Sequence, residues 1–149
     1  MVDAAAQLVV ATVPEVDRVL LASMLRDYLE ELGAESKYPY LDLYWRESGR
    51  YAYWIKVSGD IAGFALIRQT EGGTNEVAEF FVGGPWRRRG VGRAAAKALF
   101  AAHHGLWQVR SYPLSPASES FWEKVVPSNA QRVRDEQCSV FFFTVGAAV

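Results

Sequence analysis

The chain has 149 residues, of which 50% are apolar and 22% charged. That length fits one domain, and that composition excludes wholesale disorder, collagen-like repeats and a coiled coil. The net charge of −1 argues against a general nucleic-acid binder. We find no apolar stretch near the ~20 residues of a membrane span and no signal-peptide pattern, so we expect a cytoplasmic protein away from membranes.

Cysteine and histidine content argues against a disulfide or a metal site. Cys138 is the single cysteine, which excludes an internal disulfide. Together with the adjacent His103 and His104 it gives no spacing suited to zinc. We therefore expect no metal.

Charge is distributed unevenly along the chain. Residues 80–118 contain six basic and no acidic side chains, which leaves ten basic and seventeen acidic side chains elsewhere. The first 50 residues hold five basic and nine acidic side chains. This arrangement suits an anionic cofactor bound by one part of the protein and a cationic acceptor bound by another.

The first predicted elements are a strand and a helix. Residues 7–12 form a strand-like run, and Thr12, Pro14 and Glu15 are typical of a helix start with a capping box. Apolar residues then recur at helical spacing up to Gly33, which indicates a buried face. That face consists of Val16, Val19, Leu20, Met24, Tyr28 and Leu32.

The middle of the chain predicts a hairpin followed by a fourth strand. Residues 35–50 lack a clean period and indicate a short helix or loop. Two strands at residues 51–58 and 61–69 are joined through Gly59 and Asp60, which tolerate the dihedral angles of a tight turn. A fourth strand covers residues 76–82.

The last part predicts two helices and three strands. A helix at residues 90–103 precedes a strand at 107–112, and Ser115 caps a helix that Pro127 ends. Residues 131–134 and 138–145 form a final hairpin. The strand, basic loop, helix and strand in the middle predict a parallel crossover in a mixed sheet, hence an α/β fold.

The loop between the fourth strand and the next helix predicts an anion site. Exposed amides and the helix dipole favour a phosphate there, the glycines allow close approach, and the arginines add charge-assisted hydrogen bonds. The residues of this loop match neither the full dinucleotide-binding glycine pattern nor the Walker loop. A solvated basic loop and an RNA contact are the alternatives. The loop comprises Arg87, Arg88, Arg89, Gly90, Val91, Gly92 and Arg93.

These residues resemble the central motif of the GNAT superfamily of N-acetyltransferases, which reads Arg or Gln, two residues, Gly, one residue, then Gly or Ala. Arg87, Gly90 and Gly92 match it, with Val82 and Trp86 at the usual preceding positions. The chain is most similar to a bacterial subgroup of that family whose members are largely uncharacterised. The resemblance implies a single-domain fold with a central mixed sheet of six to seven strands flanked by helices.

The same resemblance implies acetyl-CoA as co-substrate and transfer of its acetyl group to a primary amine by direct attack in a ternary complex. Residues 88–93 would bind the pyrophosphate of coenzyme A, and Arg87 would close the start of the loop. A splayed fourth strand would hold the pantetheine arm and polarise the thioester carbonyl. The positions implied for that arm are Phe81, Val82, Gly84, Ser115 and Trp122. Ser115 as a simple helix cap and Trp122 as core packing are the alternatives.

Catalytic groups are less well matched. Trp122 stands where the family often has a Tyr that acts as general acid, and Gln108 stands where some members have a Glu that acts as general base. Solvent or Tyr112 could protonate the thiolate, whose pKa near ~8.5 makes it a tolerable leaving group. Deprotonating a lysine-like amine at pH 7 costs roughly 4.6 kcal/mol, so a base or water relay is expected. Glu79 is the best remaining base, and a Glu on a solvated or ion-paired strand face is the alternative.

The acceptor pocket would lie among the first helix, residues 35–50 and the late strands. Its cation-attracting residues would be Asp27, Glu30, Glu31, Glu35 and Asp42, and its aromatic walls Tyr38, Tyr40, Tyr44 and Trp45. Surface solubility and core packing explain the same residues. A catalytically degenerate acyl-CoA binder and an RNA-binding module are the rival functions, and a homodimer is possible.

Overall fold

The computed structural model describes residues 7–34, 37–111, 116–134 and 138–146. The strands of these ranges are β1 (Leu8–Thr12), β2 (Arg50–Val57), β3 (Asp60–Gln69), β4 (Asn75–Val82), β5 (Gly105–Ser111), β6 (Gln131–Arg134) and β7 (Ser139–Val145). They form one mixed sheet in the order β1-β2-β3-β4-β5-β7-β6. The β4 and β5 strands run parallel, and every other neighbouring pair in this described sheet is antiparallel.

Helices cover both faces of the sheet. The first, α1 (Arg18–Glu31), packs over the β2–β4 face that carries Trp54, Phe64 and Leu66. On the opposite face, α2 (Val91–Ala102) and α3 (Pro116–Val125) bury the alternate residues of the strands. Short 3-10 helices occupy Glu15–Asp17, Leu41–Trp45 and Gly84–Trp86. The predicted α/β fold with a mixed sheet is confirmed. None of the helices in the described ranges has the length and apolarity needed to cross a membrane.

The turn between β2 and β3 lies one residue earlier than predicted. Its two central residues are Ser58, with φ 50°, and Gly59, with φ 86°. Asp60 is already the first residue of β3 and pairs with Val57. Two positive φ values match the right-handed twist of the flanking strands, so the hairpin is tight although Ser58 bears a side chain.

The predicted capping box at the start of the first helix is wrong. Thr12 remains in β1, where it pairs with Tyr53, and the chain then passes through Pro14 and a 3-10 turn before α1 begins at Arg18. No side-chain capping bond forms at either helix start. Sheet pairing extends into the Thr–Pro–Glu signal, because the amide of Val13, the residue after Thr12, also donates to the Ala52 carbonyl at 2.9 Å.

The predicted buried face of the first helix is also largely wrong. Val16 is 86% exposed and Val19 76% exposed, and Leu20 and Leu32 are exposed as well, whereas Met24 and Tyr28 are partly buried. The helix instead buries Leu21, Leu25 and Leu29. Apolar residues surround more than one face of this helix, so periodicity alone does not determine which face contacts the sheet.

β4 and β5 form a fork rather than a continuous pair. Their parallel register is limited to Asn75 with Trp107 and Glu76 with Gln108. Beyond these pairs β4 continues along β3 to Val82, while β5 continues along β7. The two strands therefore enclose a cleft between Asn75 at its closed end and the loop at residues 87–93 at its open end.

Polar contacts attach the first turns of α3 to the terminal hairpin. The Glu119 carboxylate accepts from Arg134 at 2.6 Å and from the Ser139 hydroxyl at 2.9 Å, and it also pairs with Arg132. The Ser139 hydrogen bond and then the arginines lower the pKa of Glu119. This cluster holds α3 over the β5–β7 side of the cleft.

Candidate functional site

A buried amide closes the fork. The Asn75 side chain is fully buried, and its Nδ2 lies 3.5, 3.3 and 3.2 Å from the carbonyl oxygens of His103, His104 and Leu106. Gln69 donates to its Oδ1 at 3.0 Å. Asn75 therefore attaches the start of β4 to the turn between α2 and β5. This attachment sets the point from which the two strands separate.

The loop at the open end has a backbone conformation suited to anions. Arg88 has φ 61° and Gly90 has φ 77°, and α2 starts directly after Gly90 without a side-chain cap. A non-glycine residue with positive φ is strained, and such strain concentrates at ligand sites. The amides of the first turn of α2 are left without side-chain acceptors and carry the positive end of the helix dipole.

Arg87 differs from the other loop arginines because it is bound within the protein. Its Nε donates to the Val82 carbonyl at 2.8 Å, its Nη2 lies 3.2 Å from Glu31, and its guanidinium lies over the Phe81 ring. Arg87 thus closes the start of the loop and occupies the Val82 carbonyl, one of the backbone groups expected to hold pantetheine. It also ties α1 to the loop.

The remaining loop arginines are exposed cations. Arg88, Arg89 and Arg93 are all exposed, and Arg89 lies over the Trp86 ring at 5.8 Å. Among the described residues no carboxylate lies within 4.0 Å of these three guanidinium groups. The loop therefore presents three unneutralised guanidinium groups beside the uncapped helix start.

Gly92 and Trp122 lie where the two helices of this face meet. A Cβ atom on Gly92 would lie 3.1 Å from a ring carbon of Phe121, so glycine permits the close approach of α2 and α3. Trp122 is 5% exposed, and its ring lies 5.2 Å from that of Phe80. The indole thus belongs to the core, and its contact with pantetheine stays a prediction.

Other predicted site residues have separate positions. The Phe81 ring points to the α1 side and packs 5.3 Å from Tyr28, while Gly84 is exposed in the 3-10 turn before the loop. Tyr112 and Ser115 lie outside the described residues, so their predicted roles as acid and pantetheine contact stay predictions.

Glu79 lies on the α1 face of β4, in the part that has separated from β5. It pairs with Leu66 in the sheet register and is partly buried. Burial raises the pKa of Glu79, and a hydrogen bond donated by the Tyr28 hydroxyl opposes this in part. A carboxylate with a raised pKa is a better proton acceptor near neutral pH than an exposed one.

A cavity of about 340 Å³ lies on the same face. Three tyrosines predicted as walls line it, but two arginines do so as well, which the sequence analysis did not identify. Its lining comprises Tyr38, Tyr40, Tyr44, Arg50, Arg68 and Ala78. Trp45 serves the core instead, because its indole donates to the Val13 carbonyl at 2.9 Å.

The predicted cation-attracting residues do not line this cavity. Glu31 pairs with Arg87, and Asp42 lies 3.5 Å from Arg18. Asp27 and Glu30 are exposed on α1, and Glu35 lies outside the described residues. The polar lining of this cavity therefore consists of tyrosine and arginine.

Comparison with known proteins identifies one protein family that this chain matches. Residues 19–125 match the model of the acetyltransferase (GNAT) family. The chain shares 16% identity and a TM-score of 0.75 with an acetyltransferase from Thermus thermophilus, over 93% of this chain and 97% of that one. A search of curated proteins finds no match.

Two other solved structures carry ligands. A GNAT acetyltransferase from Elizabethkingia anophelis with acetyl-CoA bound is 11% identical, with a TM-score of 0.68 over 93% of this chain and 99% of that one. Spermidine N-acetyltransferase from Vibrio cholerae, in complex with CoA and spermine, is 9% identical, with a TM-score of 0.70 over 94% and 96%. At these identities the likeness shows the fold.

Proposed function

The chain belongs to the acetyltransferase (GNAT) family, and we propose that it transfers the acetyl group of acetyl-CoA to a primary amine in a ternary complex. The observation that carries this proposal is the fork between β4 and β5 with an uncapped, arginine-rich helix start at its open end. The Elizabethkingia and Vibrio neighbours, solved with acetyl-CoA and CoA, support a coenzyme A ligand.

The residues of the open end fit the coenzyme. Amides at the start of α2 would bind the pyrophosphate, with Arg88, Arg89 and Arg93 adding charge-assisted hydrogen bonds. Free backbone groups on the edge of β4 would hold the pantetheine arm and polarise the thioester carbonyl. The Val82 carbonyl would take part only if Arg87 released it.

Glu79 is the proposed general base. The amine nitrogen attacks the thioester carbonyl carbon and loses a proton to the Glu79 carboxylate, directly or through a water. The carbon–sulfur bond then breaks, and the departing thiolate takes a proton from solvent or Tyr112. Tyr28 orients the carboxylate through its hydroxyl. Cytoplasmic location and a homodimer stay predictions.

Calorimetric titration with acetyl-CoA, desulfo-CoA and NADH tests the coenzyme part. We expect micromolar binding of both CoA ligands and none of NADH. Arg89→Glu should weaken CoA binding about tenfold or more, because it places a carboxylate beside the phosphates. The control is Arg26→Glu, an equal charge reversal at an exposed position of α1 outside the loop.

The result distinguishes the rival functions. A folded protein that binds no CoA contradicts the acetyltransferase proposal. Binding without turnover in an amine screen would instead indicate a degenerate acyl-CoA binder. Salt-sensitive RNA affinity that acetyl-CoA does not compete away would indicate the RNA-binding alternative.

A further inference from the structure

Two arginines lie directly opposite each other on neighbouring strands. Arg50 of β2 pairs with Arg68 of β3 in the antiparallel register, and both line the 340 Å³ cavity on the α1 face. Like charges at directly opposite positions destabilise a sheet. An anion between these two guanidinium groups would remove that repulsion.

The protein neutralises this pair incompletely. The Arg50 Nε donates to Glu47 at 3.0 Å, and the guanidinium also interacts with the Tyr44 hydroxyl. Within the described ranges no carboxylate lies within 4.0 Å of Arg68, although Glu76 occupies the opposite position on β4. Of the two cations, Arg68 is therefore the one without an ion-pair partner in the described part of the chain.

A buried hydroxyl faces the same place. Tyr44 is 5% exposed, and its hydroxyl oxygen lies beside the Tyr38 hydroxyl and the Arg50 guanidinium, which act on it through side-chain hydrogen bonds. The Arg50 guanidinium lies 5.6 Å from the Tyr44 ring centre. Burial raises the pKa of Tyr38 and Tyr44, so both hydroxyls remain protonated donors at neutral pH. A hydroxyl whose oxygen lies beside other donors can direct its own proton to an anion placed in the cavity.

We propose that the acceptor is an amino acid-like amine whose carboxylate binds Arg50, Arg68 and the Tyr44 hydroxyl while its amino group faces Glu79. This inference rests on the proposed function for the amine end. Arg68 is level with Glu76, three residues along β4 from Glu79, a distance of about 10 Å. The tyrosine rings would contact the methylene groups between the two ends.

The charge pattern also disfavours a competing class of acceptor, although Glu47 and Glu79 lie near the same cavity. A diamine would place an ammonium group against two guanidinium groups, which repel it. A carboxylate at the same position forms two-point hydrogen bonds with arginine. The discriminating feature is thus the group at the end of the acceptor remote from the reacting amine.

Three compounds of equal length test this feature: 5-aminopentanoate, 5-aminopentanamide and 1,5-diaminopentane. Binding is measured by calorimetry in the presence of desulfo-CoA, and kcat/KM is measured with acetyl-CoA. We expect the carboxylate compound to bind about tenfold tighter than the amide, and the diamine to bind weakest. Equal binding of the carboxylate and the amide would overturn the inference.

Variants assign the effect to the cavity. Arg68→Gln and Tyr44→Phe should each weaken binding of 5-aminopentanoate, Arg68→Gln about tenfold, and leave binding of the amide within twofold. Arg26→Gln, which removes one exposed charge from α1, is the matched control and should change neither. Loss of affinity for both compounds alike in Arg68→Gln would contradict a carboxylate contact.

The two proposals fail separately. Carboxylate-selective binding without acetylation of any compound upholds the anion site and overturns amine acetylation. Acetylation that proceeds equally well with the amide or better with the diamine upholds acetylation and overturns the carboxylate site.

Discussion

The closed and open ends of the β4–β5 fork differ in almost every physical property. At the closed end Asn75 and Trp107 are fully buried, and both donate hydrogen bonds to backbone carbonyls. At the open end Arg88 holds a strained left-handed conformation and the neighbouring cations are exposed. Satisfied buried polar groups stabilise a fold, whereas unsatisfied exposed ones bind ligands.

The closed end therefore serves stability, whereas the proposed coenzyme site lies at the open end of the same cleft. A rigid closed end determines where β4 leaves β5, and the open end can then present a loop that contributes little to folding. Substitutions at the two ends should therefore affect different measurements.

The largest expected effect is on stability at the closed end. Asn75→Leu removes the amide donor that lies within 3.5 Å of three backbone carbonyl oxygens, of which that of His103 keeps Trp107 as a second donor, and it leaves Gln69 without its acceptor. We expect the free energy of unfolding to fall by about 3 kcal/mol, measured by urea denaturation. Gln69→Leu, which breaks one of these bonds, should cost about 1 kcal/mol. Wild-type stability of Asn75→Leu would contradict the assignment.

The second-largest expected effect is on the catalytic rate, at Glu79 in the part of β4 that has separated from β5. Glu79→Gln should lower kcat about hundredfold with acetyl-CoA and the best amine, because a general base contributes at least that factor. The matched control is Glu76→Gln, the same change three residues nearer the closed end, which should retain most of the rate. If Glu76→Gln lost more activity than Glu79→Gln, the base would be Glu76.

The raised pKa of Glu79 predicts that activity rises with pH and that the contribution of Glu79 to stability falls with pH. Activity should rise with pH through that pKa, and this limb should be absent in Glu79→Gln. Folded Glu79 binds its proton more tightly than the unfolded chain does, so its contribution to stability falls as pH rises from about 4.3 through the raised value. Glu79→Gln should therefore be more stable than wild type at pH 7 while less active.

A smaller effect is expected on the affinity for acetyl-CoA when the loop at the open end is changed. Arg88→Gly removes a cation and relieves a positive φ that only glycine adopts freely. The Kd for acetyl-CoA should rise about tenfold, and the free energy of unfolding should change by less than about 1 kcal/mol. Titration calorimetry and urea denaturation of the same sample measure both. A large loss of stability would show that the loop contributes to folding.

The smallest expected effect is on the pH dependence of stability, through His103 near the closed end of the fork. His103 is buried, its Nε2 lies 2.6 Å from the Tyr53 hydroxyl, and burial lowers the pKa of its ring. The unfolded chain therefore binds a proton first as pH falls below about 6.5, and stability should decline from pH 7 to pH 5. His103→Gln should flatten this part of the urea-midpoint profile. An unchanged profile would assign the decline to other groups.

The element order and the place of the basic loop could be predicted because they rest on local signals. Gly90 follows a strand and directly precedes an alanine-rich helix, and turn residues mark the hairpin. The raised pKa of Glu79 could not be predicted from the sequence, because it depends on burial beneath α1 and on Tyr28, which lies 51 residues earlier in the chain.

The α/β order, the parallel crossover and the basic loop follow from local sequence, because each arises from neighbours a few residues apart. Which face of α1 is buried and which arginines lie opposite each other depend on packing between elements distant in the chain. Counting back from the hairpin turn pairs Arg50 with Ile67, and only the irregularity between Ile55 and Lys56 brings Arg68 opposite it. Such a bulge forms where strand curvature and packing across the whole sheet favour it, which no short segment encodes.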